Sequence, residues 1–189
     1  MIKQFTNKRS KWIFDYYRTT DDATFTTMHF VKDYIFEHRL RFIIYLRKAQ
    51  CSNLRLAKLF YDYKLYKYSR KYGIEIKSDT VIGKGFVLNH PYNITVSRGA
   101  IIGDNVTMLK GSTIGMSGGK RSGIPKIGNK VYIGINSTIV GGIEVGDDVV
   151  IGPNTFVNQD IPSHSIVIGN PCVVIHKENA TAPYIWKTV

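Results

Sequence analysis

The sequence predicts a mainly β fold, a left-handed parallel β-helix preceded by a short α-helical N-terminal region. Two observations predict it. From residue 76 onward an aliphatic residue recurs every six positions, whereas the first 75 residues are basic, aromatic and helical in their apolar spacing. We therefore divide the 189 residues into a basic aromatic helical region (1–73), a β-helix (74–175) and a C-terminal tail (176–189).

The six-residue repeat comprises thirteen aliphatic positions in three blocks. A period of six fits neither an amphipathic helix nor a simple strand, but it fits a coil with three flat faces, each made of a short strand and a tight turn. The aliphatic residue would point inward and stack on its counterpart in the next coil. The count slips by two residues between the fourth and fifth positions. The positions are Ile76, Ile82, Leu88, Ile94, Ile102, Met108, Ile114, Ile127, Ile133, Ile139, Val145, Ile151 and Val157.

Glycine follows the aliphatic residue at seven of these positions: Gly83, Gly103, Gly115, Gly128, Gly134, Gly146 and Gly152. Glycine suits tight corners because it tolerates both positive φ and a close approach of another backbone. The repeat is interrupted between Ile114 and Ile127 by a segment rich in Gly, Ser and basic residues, which predicts a protruding loop. Loops on a rigid scaffold commonly carry binding groups, and a merely structural bulge is the alternative.

The N-terminal region has the apolar spacing of two helices. The first is expected from about residue 27 to residue 50. The second is expected to begin after Ser52 as its N-cap and to end at Gly73.

The net charge of +12 is concentrated in this region, since residues 1–75 hold sixteen Lys/Arg against seven Asp/Glu. A basic aromatic helix can rest on anionic lipid headgroups. The alternative is a helical cap that packs on the β-helix or on another subunit. Nucleic-acid binding is not expected, because no recognised nucleic-acid motif accompanies the charge.

Other sequence features exclude several classes. No uninterrupted apolar run reaches the roughly 18 residues that a membrane-spanning helix needs. The N-terminus lacks the apolar core and small-residue cleavage site of a signal peptide, so we expect a cytoplasmic protein. Cys51 and Cys172 are expected to be reduced thiols, and the histidines lack metal-ligand spacing, so no metal is expected.

The stretch from Tyr72 to about Ile175 resembles the serine acetyltransferase group of hexapeptide-repeat acyltransferases. The similarity is carried by YGIEIKSDTVIGKGFVLNH, ITVSRGAIIGDNVTMLKGSTIG, PKIGNKVYIGINSTIVGGIEVGDDVVIGPNTFV and IPSHSIVIGNP. The N-terminal LRFIIYLRKAQ and RKYGIEI look more like short-headed relatives from bacterial capsule and exopolysaccharide pathways.

The resemblance implies a homotrimer that binds acetyl-CoA as co-substrate in the groove between neighbouring β-helices. It places the general base on His90 and the acidic residue that orients it on Glu75. A neutral imidazole can take the proton of an attacking hydroxyl at cellular pH, and a carboxylate on its other nitrogen fixes the tautomer.

The resemblance also implies positions for acetyl-CoA and for the acceptor. The coil corners that match acetyl-CoA contacts are Gly115, Gly134, Ile135, Gly152 and Pro153, with Asn170 and Pro171 in the tail loop, and Met116 beside Gly115 is included. Lys120, Arg121 and Lys177 are candidate contacts for the CoA phosphates, and a solvated basic surface is the alternative. The acceptor positions are Asn89, Gly123 and Ile124, where serine acetyltransferases usually carry an Asp and an Arg-His pair. Without those charges a zwitterionic serine would be desolvated without partners.

We therefore expect an O-acetyltransferase whose acceptor is a sugar hydroxyl of a capsule polysaccharide, exopolysaccharide or lipid-linked precursor, at the inner face of the membrane. Two alternatives stay open. One is a serine O-acetyltransferase with an altered acceptor site. The other is a non-catalytic trimeric β-helix that recruits a partner through its N-terminal helices.

Overall fold

The computed structural model describes residues 11–20, 26–119 and 121–189. In these ranges four helices precede the strands: α1 (Lys11–Thr19), α2 (Thr27–Phe36), α3 (His38–Cys51) and α4 (Arg55–Tyr72). Fifteen short strands, numbered along the chain, then form three sheets that the chain visits in turn. The predicted mainly β architecture, a parallel β-helix behind an α-helical region, is confirmed.

Each sheet is one face of the β-helix. Sheet 1 consists of β1 (Ile74–Glu75), β4 (Ile94–Val96), β7 (Thr113–Gly115), β10 (Thr138–Val140) and β13 (Phe156–Val157). Sheet 2 consists of β2 (Val81–Ile82), β5 (Ile101–Ile102), β8 (Lys126–Ile127) and β11 (Glu144–Val145). Sheet 3 consists of β3 (Val87–Asn89), β6 (Thr107–Leu109), β9 (Val131–Ile133), β12 (Val149–Ile151), β14 (Ser165–Ile168) and β15 (Val173–His176). All pairings within the sheets are parallel except β14 with β15. Strand β15 ends at His176, one residue beyond the predicted end of the β-helix at residue 175.

The thirteen repeat positions form the core, since each of them is buried. Fully burying an aliphatic side chain contributes about 1.5–3 kcal/mol, so the stacked column supplies most of the cohesion of a structure with such short strands. The predicted inward stacking of the six-residue repeat is confirmed, except that Val96 takes the place in the column that was assigned to Ile94.

The two residues that interrupt the six-residue spacing lie at a different turn from the one that the sequence indicated. Ile94 pairs with Ile74, whereas Val96 pairs with Ile114 and so occupies the aliphatic column. The two added residues therefore lie between Leu88 and Val96, not between Ile94 and Ile102. The sequence assignment was wrong because Ile94 fills the buried position that Ser112, Ser137 and Thr155 hold in later coils. Ile94 and Val96 are therefore both aliphatic and buried, and the sequence does not show which of them belongs to the column.

Glycine recurs beside the aliphatic column between sheets 2 and 3 because consecutive coils approach closely there. A Cβ added to Gly103 would lie 2.6 Å from the carbonyl oxygen of Gly128. A Cβ added to Gly128 would lie 2.7 Å from the carbonyl group of Gly146. Real Cβ atoms do not approach a backbone this closely, so close packing, rather than positive φ, requires glycine at these corners.

The helices differ from the sequence prediction in three places. Helix α1 was not predicted. The segment expected as one helix from 27 to 50 is two helices that meet at Glu37, whose extended backbone ends α2 and precedes α3. The N-cap of α4 is Leu54, which makes no side-chain cap bond, so Ser52 is not the cap. Gly73 ends α4 in the left-handed region with φ 68°, and its N–H donates to the carbonyl of Ser69, as the C-terminal glycine predicts.

A buried ion pair fixes the helices to the first coil. Arg47 of α3 donates to Asp15 of α1 at 2.8 Å, and both side chains are almost fully buried. Arg47 also donates to the carbonyl of Ile82 at 2.9 Å and to that of Gly83, while the N–H of Phe86 donates to Asp15 at 2.8 Å. Burial raises the pKa of Asp15, and the contacts with Arg47 and Phe86 oppose that shift. The helical region is therefore part of the same packed body as the β-helix.

Candidate functional site

The predicted base and most predicted acetyl-CoA positions lie along one edge of sheet 1. We call the line of corners where the chain passes from sheet 3 to sheet 1 the first edge. Successive corners stack directly, since the N–H of Asn136 donates to the carbonyl of Lys110 and the N–H of Asn154 donates to that of Ile135. The structure brings together on this edge Asn89, His90, Gly134, Ile135, Gly152, Pro153, Asn170 and Pro171.

His90 occupies an exposed turn with an uncommon backbone. It follows β3 directly, and its φ of 49° lies in the left-handed region, which costs a non-glycine residue about 1–2 kcal/mol. The N–H of Tyr92 donates to the carbonyl of His90 at 2.8 Å, and the N–H of Asn93 donates to that of Tyr72 at 3.0 Å. This is the turn that holds the two added residues, so it is longer than the other corners of the first edge. The side chain of His90 is exposed to solvent.

Glu75 lies on the outward side of sheet 1, in register with Thr95. Its side chain is exposed, and within the described residues of the single chain no hydrogen bond or ion pair joins it to His90. The role of Glu75 as the orienting carboxylate therefore stays a prediction.

An aromatic stack that the sequence did not single out supports the His90 turn. The imidazole of His38, at the start of α3, stacks on Tyr72 with ring centroids 4.4 Å apart, and it tilts against Tyr92 at 5.3 Å. Burial lowers the pKa of His38, and within the described residues its Nε2 has no hydrogen-bond partner. These rings fasten the ends of α3 and α4 to the turn.

A guanidinium also reaches the acceptor position beside His90. Arg39 donates to the side-chain oxygen of Asn89 at 3.4 Å and lies 3.3 Å from the carboxylate of Glu37. The sequence offered one indication of these contacts, which is that Tyr72 comes directly before the first coil. It did not indicate that His38 or Arg39 would lie there. These contacts join α3 to a turn 50 residues later in the chain, and no repeat or spacing in the sequence relates such distant positions.

The irregular loop lies at the opposite edge of sheet 1, which we call the second edge. Gly115 ends β7, Met116 is exposed, and Ser117 and Gly123 exchange backbone hydrogen bonds of 3.1 and 3.0 Å that close the loop. Ile124, which was predicted as an acceptor position, is partly buried and packs against the hydrophobic core, so it also has a structural role. The predicted phosphate contact Lys120 lies outside the described residues.

The second edge contains a cavity of about 380 Å³. It is lined by Ser117, Arg121, Val140, Asn158 and Gln159, of which the sequence pointed only to Arg121. The guanidinium of Arg121 is already paired with Asp160 at 2.7 Å, and its hydrogen bond lowers the pKa of that carboxyl group. A phosphate that binds Arg121 would therefore have to compete with Asp160.

Lys177 is separated from both edges of sheet 1 within the chain. Because β15 runs antiparallel to β14, it carries the chain back to the corner between sheets 2 and 3, where the N–H of Lys177 donates to the carbonyl of His164 at 2.7 Å. His164 in turn contacts the buried Asp148 at 2.9 Å, which also accepts bonds from Thr181. This cluster anchors the C-terminal tail, and the sequence did not anticipate it.

Within the residues that the structure describes, no group of three or more His, Cys, Asp or Glu side chains is arranged to hold a metal ion. Cys51 and Cys172 are not joined in a disulfide.

Comparisons with known proteins show what the β-helical part of the chain is similar to. Residues 124–159 match the family model described as "Bacterial transferase hexapeptide (six repeats)". The serine acetyltransferase of Helicobacter pylori strain 26695 is 38% identical over 109 residues, which are 56% of this chain and 63% of that protein. The chain spans less than two thirds of the length of the curated relatives it matches first.

Two solved structures are also similar. Soybean serine acetyltransferase complexed with serine has a TM-score of 0.71 and 27% identity, covering 92% of this chain and 72% of the soybean chain. A serine acetyltransferase in complex with CoA has a TM-score of 0.62 and 27% identity, covering 72% of this chain and 56% of that one. The match to the hexapeptide transferase model covers residues 124–159 of the β-helix. The relatives and solved structures described above are serine acetyltransferases, not capsule or exopolysaccharide enzymes.

Proposed function

We propose that this protein is an acetyl-CoA-dependent O-acetyltransferase of the serine acetyltransferase type, with His90 as its general base. The observation that carries the proposal is the coincidence of His90 with the corner residues of the first edge, in a segment similar to serine acetyltransferases. An exposed imidazole in a strained turn, next to stacked corner backbone, suits a base that meets a ligand lying along the edge.

The proposed reaction needs only proton movements from the chain. His90 accepts the proton of the acceptor hydroxyl as its oxygen bonds to the thioester carbonyl carbon. The carbon–sulfur bond then breaks, and the sulfur of CoA leaves with the proton that His90 returns. Glu75 would hold the second ring nitrogen, and a backbone N–H near Gly115 would donate to the developing oxyanion.

A homotrimer would complete this site. Sheet 1 carries His90 on its first edge and the irregular loop on its second edge, which are separated by the full width of the sheet. If neighbouring subunits pack side by side, the first edge of one faces the second edge of the next, with acetyl-CoA between them. A cytoplasmic location, where acetyl-CoA is available, belongs to the same proposal.

Serine is the first acceptor to test, because the relatives that match this chain are serine acetyltransferases. A sugar hydroxyl is the second candidate, and one specific observation favours it. The positions expected to carry charged serine-binding groups hold the uncharged residues Asn89, Gly123 and Ile124. The cation next to Asn89 is Arg39, which donates to its side-chain oxygen. A neutral polar acceptor would suffer less from the missing charges than a zwitterion would.

The test follows CoA release from acetyl-CoA with serine, nucleotide sugars and purified glycans as separate acceptors. We expect release with one of them, and a loss of about 10²–10⁴-fold in His90→Ala because general-base catalysis contributes that much. His176→Ala removes an exposed histidine outside the site and is the matched control.

Activity with serine supports the first acceptor, and activity with a glycan alone supports the second. An unchanged rate in His90→Ala would refute its role as base. No release with any acceptor, together with no binding of acetyl-CoA, would favour the non-catalytic scaffold.

A further inference from the structure

Helix α4 has two apolar stripes on opposite sides. The inner stripe comprises Tyr61, Leu65, Tyr68 and Tyr72, which pack against the hydrophobic core. The outer stripe follows the same three- and four-residue spacing, so its members share one helix face. They are Leu56, Leu59, Phe60, Tyr63 and Tyr66, and all are exposed, with Leu56 at 82% and Leu59 at 66%. A helix that packs through one face normally has a polar opposite face, so a second apolar stripe marks an interaction surface.

The outer stripe is embedded in positive charge. Helix α4 contains six Lys/Arg residues and only one acidic residue, Asp62. Asp62 is paired with Lys58 at 3.1 Å. Within the described residues no carboxylate pairs with the other five cations, which are Arg55, Lys64, Lys67, Arg70 and Lys71. Two of them lie over rings of the stripe: Lys64 over Phe60 at 5.2 Å and Lys67 over Tyr63 at 5.3 Å.

We propose that this surface, the α4 outer face, docks the protein on a membrane that contains anionic lipid. We define it by Leu56, Leu59, Phe60, Tyr63, Tyr66, Lys64, Lys67 and Arg70. Its apolar side chains would enter the acyl boundary, and the flanking cations would remain at the headgroups, as long basic side chains do at an interface. The 18 residues of α4 give a helix of about 27 Å that can lie flat on the surface.

Charge complementarity selects lipid over a second copy of the chain. Two α4 outer faces in contact would bring together two sets of unpaired cations, which repel each other. A nucleic acid would match the charge, but it would leave the aliphatic residues Leu56 and Leu59 in water. An anionic bilayer satisfies both the charge and the apolar stripe. Among the described residues, none of the helices combines the length and the hydrophobicity of a transmembrane span.

The experiment is co-sedimentation of the full chain with vesicles. One set is phosphatidylcholine alone, and the other is phosphatidylcholine with about one third phosphatidylglycerol. We expect binding to the anionic vesicles only, weakened by added salt. Each basic residue near an anionic surface contributes roughly fivefold in partitioning, so Lys64→Gln/Lys67→Gln/Arg70→Gln should weaken binding by about 10²-fold.

The matched control is Arg98→Gln/Lys126→Gln/Lys130→Gln, which removes the same charge from the β-helix and should bind as the wild type does. Leu59→Ser/Phe60→Ser should also weaken binding with the charge unchanged, which separates an inserted stripe from electrostatic attraction alone. Circular dichroism confirms that each variant is folded.

Absence of binding to anionic vesicles would overturn the proposal, as would equal losses in the two charge variants. Concentration-dependent self-association that Leu59→Ser/Phe60→Ser abolishes, without vesicle binding, would assign the face to a second copy. Binding of single-stranded RNA in preference to vesicles would assign it to nucleic acid. These outcomes do not depend on acetyl transfer, so the proposed enzyme activity and the membrane contact can fail separately.

Discussion

The buried ion pair between Arg47 and Asp15 allows a quantitative test of how the helical region is held on the β-helix. Replacing Arg47 by Met keeps much of the apolar stem but removes the guanidinium. Asp15 then retains the backbone N–H of Phe86 as a donor, while its carboxylate stays almost fully buried. The carbonyls of Ile82 and Gly83 lose the donor that they share.

Removing one partner of a buried ion pair costs about 3–5 kcal/mol, because the remaining charge is left uncompensated. For a chain of this length each kcal/mol lowers the melting temperature by roughly 2–4 °C. We therefore expect Arg47→Met to lower the free energy of unfolding by about 4 kcal/mol and the melting temperature by roughly 10 °C. The measurements are urea denaturation and differential scanning calorimetry.

A double-mutant cycle checks the reason for the loss. In Asp15→Asn/Arg47→Met the buried charge is gone, so the double variant should be more stable than the sum of the two single losses predicts. Lys126→Met breaks the exposed pair with Glu144 and should leave the melting temperature unchanged. A loss below about 1 kcal/mol in Arg47→Met, or additive losses in the cycle, would refute the reasoning.

Two further predictions concern pH. Burial favours a raised pKa for Asp148, but the bonds from Thr181, His164 and Ala180 outweigh it and lower the pKa. The resulting stability is present above the ordinary carboxyl pKa of 3.8 and is lost as pH falls through the folded value. Asp148→Asn should be less stable than the wild type by about 2 kcal/mol at neutral pH. In acid unfolding monitored by tyrosine fluorescence, the free energy of unfolding of this variant should depend less steeply on pH. The same steepness in the variant and the wild type would contradict this prediction. The pKa of His38 is lowered by burial, so stability should fall as pH drops below the ordinary imidazole value of 6.5. His38→Phe keeps an aromatic ring beside Tyr72 but removes the titrating imidazole, so its melting temperature should no longer fall as pH drops below 6.5 for this reason. If the same fall remains in His38→Phe, another group causes it.

The repeat made much of the site predictable. Residues separated by one coil stack directly, so a periodic sequence specifies which corners share an edge. His90 lies two residues after Leu88 and Gly134 lies one residue after Ile133, and these two repeat positions belong to strands of the same sheet. The phase of β4 did not follow, because Ile94 and Val96 are both buried and only strand pairing distinguishes their columns.

The contacts of the helical region were not predictable. Arg47 meets Asp15 from 32 residues away and the first coil from 35, and no period relates these positions. Amphipathic spacing indicated helices, but α4 has apolar stripes on both sides, so spacing alone could not say which side is buried. The stack of His38 on Tyr72 depends on the same packing.

By itself the sequence determined the β-helix and its three-sided coil, because these follow from local, repeated interactions between neighbouring coils. Only the tertiary structure decided how the helices close the first coil, that β15 returns Lys177 to a different corner, and which face of α4 remains open. Those features arise from contacts between distant segments, whose geometry is set by packing and by the pairing of buried charges rather than by any pattern along the chain.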